Sequence, residues 1–198
     1  MYVIDLRHFE GIEFEPGIPG PALRLAVFVR RVVRAGTAVL EPGPRLTPLS
    51  CRRRPGHRPC PGRLLVVWGD GPYGIRWRCP SCGDDGMIDG WKGSRFDLSG
   101  AALDQYVEQA SGVTIAVPED GHRLLLDHVV GDPACELMLY SARQCATGVE
   151  LSAGDDTWRE LIGLVASDAS LSASRDRRHR LRAIHSQLES AMSTARKS

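Results

Sequence analysis

The run Cys51-Arg-Arg-Arg-Pro-Gly-His-Arg-Pro-Cys60, followed after 18 intervening residues by Cys79-Pro-Ser-Cys82-Gly83, decides how this 198-residue chain is organised. Four of its six cysteines fall inside 32 residues. In Cys79-Pro-Ser-Cys82 two thiolates at a tight turn can face one ion, and Gly83 relieves the backbone strain behind them. Zinc takes four soft or borderline ligands in a tetrahedron, and four thiolates make a closed, structural site. The residues between Cys60 and Cys79 fit one strand out and one back. Leu64, Val66 and Trp68 alternate, Ile75 and Trp77 alternate, and Gly69–Gly74 reads as the loop between them. Such a hairpin returns the chain to its starting level, so Cys60 meets the Cys79/Cys82 pair at one point.

A C-x2-C pair set one hairpin after an earlier cysteine resembles the zinc ribbon, over about residues 47–98. The segment also resembles a bacterial family that shares C-R-R-R-P-G-x-R-P-C-P-G and W-x-C-x-x-C-G-D-x-G and has no named activity. That resemblance implies a zinc site and nothing about catalysis. A usual ribbon carries C-x2-C in both halves, whereas here Cys51 and Cys60 are separated by eight residues. Either Cys51 or His57 can therefore supply the fourth ligand. The dominance of thiolates in structural sites favours the set Cys51, Cys60, Cys79 and Cys82, with His57 as the alternate.

Outward from the cysteines, residues 42–62 hold six of the 13 prolines and little periodicity, which predicts an irregular segment organised by the metal. Met87-Ile88 with Trp91 predicts a third strand. On the N-terminal side, Tyr2–Leu6 reads as a strand and Pro16–Pro21 as a connector. A helix follows, with Ala22, Leu25, Ala26, Val29, Val32 and Val33 on one face and Gly36 as its stop. On the C-terminal side the pattern turns helical. One helix carries Leu103, Tyr106, Val107 and Ala110, another Leu125 and Leu126, and a third opens at Asp132-Pro133. Val113–Val117 and Val149–Leu151 read as short strands, Thr157-Trp-Arg-Glu160 as a capping box, and the last helix starts at about Arg175 with Leu181, Ile184, Leu188 and Met192 on one side. Cys135 reads as a small buried hydrophobe on a helix that also reaches Cys145. The expected fold is α+β in three parts: a strand and helix (1–46), a ribbon whose hairpin has a third strand (47–98), and a mainly helical region (99–198).

The net charge of +1 conceals segregation. Residues 1–63 hold 11 Arg against 5 acids, residues 99–170 hold 3 Arg against 12 acids, and residues 171–198 hold 7 bases against 2 acids. No acid lies between Pro42 and Gly69, a span that includes Arg52, Arg53, Arg54, Arg58 and Arg63. Arg175, Arg177, Arg178 and Arg180 start the last helix. Guanidinium forks pair bidentately with phosphate, so both runs are candidate DNA or RNA contacts, with Trp68, Tyr73 and Trp77 as a stacking surface. A competing reading has the arginines neutralise the metal–thiolate centre, and has the acidic region 99–170 meet a basic protein partner.

No Ser, Cys or His falls in a nucleophile pattern, and no G-x-x-x-x-G-K phosphate loop is present, so the reading is non-catalytic. Asp84-Asp85 with Asp89 reads as a solvated turn, and Asp127-His128 with His122 as a weak second metal group. The longest aliphatic or aromatic runs, Leu25–Val29 and Leu64–Trp68, are five residues each. A bilayer needs about 20, so no membrane span and a cytoplasmic location are expected.

Overall fold

The computed structural model of the chain describes residues 2–9, 11, 20–39, 43–68, 74–100, 112–129 and 132–195. Residues 69–73 of the expected loop Gly69–Gly74, Tyr73 among them, and the helix face of Leu103, Tyr106, Val107 and Ala110 lie outside those residues. The fold is α+β, and the chain divides into two compact units, Met1–Ala102 and Leu103–Ser198.

The first unit is a five-stranded sheet backed by one helix. Its strands are β1 (Tyr2–Asp5), β2 (Gly43–Ser50), β3 (Arg63–Trp68), β4 (Ile75–Arg78) and β5 (Asp85–Asp89), and α1 spans Gly20–Thr37. The spatial order is β1-β5-β4-β3-β2; only the β1–β5 pair is parallel. Residues 1–46 and 47–98 thus contribute to one sheet. Alternation places Leu64, Val66, Ile75 and Trp77 inward, and α1 meets β2, β3 and β4 with Val29, Val32 and Val33 buried. Phe28 packs edge-on against Trp77, ring centroids 5.5 Å apart. Gly36 does more than end the helix. It lies within α1, where a Cβ would sit 3.1 Å from Val66 Cγ1, so its missing side chain lets the helix approach the sheet. Trp91 follows β5 rather than belonging to it, and packs edge-on against Trp68.

The irregular segment expected over 42–62 is in part a strand. Pro44 and Pro48 hide β2 from a propensity reading, yet β2 is an edge strand, where a missing N–H on the outer side costs nothing. Its register shifts between Leu46 and Ser50, and there the Thr47 hydroxyl donates to the Leu64 carbonyl at 2.9 Å.

The second unit contains β6 (Val113–Val117), α2 (Glu119–His128), α3 (Pro133–Ser141), β7 (Arg143–Cys145), β8 (Gly148–Ala153), α4 (Asp155–Leu171) and α5 (Arg175–Ala195). Alongside its helices it holds an antiparallel sheet of order β6-β8-β7. β7 corrects the helical reading of Cys145. Three residues are too few to show a period; the turn is Ala146-Thr147, and β8 opens on Gly148 at φ +149°, where a Cβ would strike the Val117 carbonyl. Asp132 caps α3 as expected, accepting from the Cys135 amide at 2.7 Å. The expected capping box does not form. α4 begins earlier, after Gly154, so Thr157 lies inside the helix, and Asp155 and Asp156 favour the positive end of its dipole instead. Leu181, Ile184, Leu188 and Met192 are buried on α5 as their spacing predicts, and α5 packs on α4 and β6. Among the described residues no helix is long and apolar enough to cross a membrane.

Candidate metal centre

The end of β2, the return into β3 and the turn between β4 and β5 converge on Cys51, Cys60, Cys79 and Cys82. Their four Sγ atoms lie within 4.8 Å of one another. Cys51 Sγ is 3.5 Å from Cys82 Sγ, and Cys60 Sγ is 3.8 Å from Cys79 Sγ. A tetrahedral site with metal–sulfur bonds of about 2.3 Å has sulfur–sulfur edges of about 3.8 Å. The donor set fits: these thiols could hold one metal ion.

Backbone hydrogen bonds show how a C-x8-C loop does the work of a knuckle. The Cys51 amide donates to the Gly62 carbonyl at 2.8 Å, and the Cys60 amide to the Arg53 carbonyl at 2.9 Å. These bonds pinch the long loop shut, and a short 3-10 turn over Pro55–His57 absorbs the extra residues. Gly56 and His57 both stand at positive φ in that turn. The Arg53 and Gly62 amides each point at a sulfur, of Cys51 and Cys60, at 3.4 Å. The second loop is tighter. Gly83, at φ +74°, returns its amide to the Cys79 carbonyl, and the Cys79 amide reaches the Asp84 carbonyl at 2.7 Å.

Electrostatics divide the thiols. Burial pushes the Cys51 thiol far up, against the pull of the Arg53 amide. For Cys79, burial pushes up, but the Cys82 and Ser81 amides and the neighbouring thiols together bring it below the ordinary range. Amides aimed at sulfur favour thiolate, the form a metal requires. His57 is exposed and outside the sulfur cluster. Of the weaker groups, His122 Nε2 lies 2.9 Å from the Leu139 carbonyl and His128 Nδ1 lies 3.2 Å from Asp168. Among the described residues these form no second metal cluster.

The arginines have different fates. Arg52 Nε lies 3.5 Å from Asp84, and its guanidinium sits over the rings of Tyr2 and Phe28, at 5.2 and 4.8 Å. Arg53 Nε is 3.8 Å from the same carboxylate but stays 56% exposed. Asp84 is therefore a buried counter-charge and not the solvated turn expected. With no acid near the arginine run, its partner had to come from another segment, and Asp84 directly follows the second cysteine pair. Arg54 and Arg58 are exposed, Arg63 half-buried in β3. On α5, Arg175, Arg177 and Arg180 are exposed. Arg178 instead donates from Nε and Nη2 to the Ser172 carbonyl, at 3.2 and 2.6 Å, which closes the end of α4. The expected aromatic platform is corrected too: Trp77 is buried under α1 and Trp68 is committed to Trp91. Tyr2, which no periodicity singles out, is the exposed one of the two rings, Tyr2 and Phe28, that lie under Arg52. No protein-family model, no curated protein and no solved structure matches the chain, so the ribbon-like reading rests on the geometry of these four cysteines.

Proposed function

We propose that the four thiols hold one structural zinc ion, and that the arginine-bearing loop closed around it contacts the phosphates of a nucleic acid. The metal half is carried by one observation, the convergence of four sulfurs within 4.8 Å. Zinc suits an all-thiolate tetrahedron, and with four protein ligands it keeps no open position for a water, which supports a non-catalytic role. Metal analysis of protein purified without chelator should give one zinc per chain. A value well below one, or iron in its place, overturns the assignment.

The phosphate half is supported by the exposure of Arg53, Arg54 and Arg58 on a loop whose position the metal fixes. Binding of DNA or RNA should fall steeply with salt, and Arg54→Gln and Arg58→Gln should each reduce the salt slope by about 0.7–0.9 without releasing zinc. A specific observation favours a second reading. Asp84 already pairs with Arg52 and Arg53. On that reading the ribbon is purely structural, and the acidic region 99–170 takes a basic protein partner. Absence of polynucleotide binding at low salt would favour it.

A further inference from the structure

Tyr2, Arg52, Arg53, Arg54 and Pro55 line an open basin of about 620 Å³ beside the first loop of the metal centre. Its charge is one-sided. Three guanidiniums line it, and two of them, Arg52 and Arg53, share one buried carboxylate, Asp84. Among the described residues no carboxylate pairs with Arg54. One wall is aromatic. Arg52 lies over the Tyr2 ring, and Tyr2 is 47% exposed on the edge strand beside the arginines.

We propose that this basin seats one unpaired nucleotide, its phosphate on Arg53 and Arg54 and its base on Tyr2. The inference rests on the nucleic-acid reading and narrows it to single strands. A phosphate-only surface would not distinguish duplex from single strand beyond charge density. A ring beside the phosphate site does, because only an unstacked base can lie on it. Arg52 is a positioning residue here. Held by Asp84 and lying over Phe28, it also lies over the Tyr2 ring at 5.2 Å from its centroid and so orients the ring for the base.

The test uses the full, metal-loaded chain and fluorescence anisotropy with labelled oligothymidylate, oligouridylate and a short mixed-sequence duplex. Both single strands should bind more tightly than the duplex, and their ratio separates DNA from RNA preference. Tyr2→Leu keeps an apolar strand residue and removes the ring. It should weaken single-strand binding about 5- to 150-fold with duplex binding and zinc content unchanged, and Tyr2→Phe should restore it. Arg54→Gln should weaken all three. If Tyr2→Leu binds the single strands like the parent while Arg54→Gln still loses affinity, the base seat is wrong and the phosphate reading stands. If the parent binds none of the three, both fail.

Discussion

Gly62 sits where a Cβ would lie 2.5 Å from Cys79 Sγ and 2.6 Å from the Ser81 hydroxyl. The backbone itself forms part of the wall of the sulfur cluster there, so Gly62→Ala should push the two loops apart. Zinc retention under competition with a chromogenic chelator should drop, whereas Gly163→Ala, with open space around it in α4, should not affect retention. The fourth ligand is a residue-scale question as well. Cys51→Ser should lower zinc content markedly and His57→Asn should leave it unchanged; the reverse would move the ligand to the histidine. The remaining cysteines differ in reactivity. Cys135 has no exposed surface and burial drives its thiol far above the ordinary range, while Cys145 is half-buried on β7. A water-soluble thiol reagent should modify Cys145 in the folded, metal-loaded chain and reach Cys135 only on unfolding. At this scale the convergence of the cysteines was legible in the Cys79/Cys82 pair and the hairpin before it, while spacing left Cys51 and His57 both open. Tyr2 and Asp84 were not legible. Their roles arise from β1 lying beside β5 and from a carboxylate brought under a distant arginine loop, neither of which a local pattern encodes.

Secondary elements explain why metal loss should act locally. The strands β3, β4 and β5 are not a free-standing ribbon; they belong to a sheet that α1 covers with Val29, Val32 and Val33. The loops over 51–62 and 79–84, by contrast, bury mainly sulfur. Chelation should therefore abolish hydrogen-exchange protection at Cys51, Cys60 and Cys79 first, with β3 and β4 amides losing much less. Equal loss throughout would show that the metal holds the whole sheet. In the other unit, Arg178 joins the end of α4 to the start of α5. Arg178→Ala should cost about 1.5 kcal/mol in chemical denaturation, the low end for a hydrogen bond from a charged donor, because the residue is partly exposed. Arg177→Ala, on the exposed side, should stay within about 0.5 kcal/mol of the parent. Long amphipathic elements such as α1 and α5 were legible because their period repeats over several turns. β2 and β7 were not: two prolines mask the first, and the second is too short to carry a period.

The molecule as a whole comprises two units, each with its own buried core. Leu64, Ile75, Trp77 and Ile88 belong to one; Leu125, Met138, Leu151, Trp158 and Leu181 belong to the other. Thermal unfolding should accordingly show two transitions, of which a chelator lowers only the one reported by the fluorescence of Trp68, Trp77 and Trp91 in a Trp158→Phe background. Helical circular dichroism, to which α2–α5 together contribute more residues than α1, should mainly follow the metal-independent transition. What the sequence withheld at this scale is closure: nothing in residues 2–5 announces that their partner is β5. That pairing also sets a timetable. Tyr2 lies opposite Gly86, so during synthesis β1 emerges about 80 residues before its neighbour exists, which at about 5–20 residues per second leaves it waiting roughly 4–16 s. Throughout that interval the strand that displays Tyr2 and Val3 is an unpaired ribosome-borne edge, and a nascent chain in that state is a natural client for a chaperone.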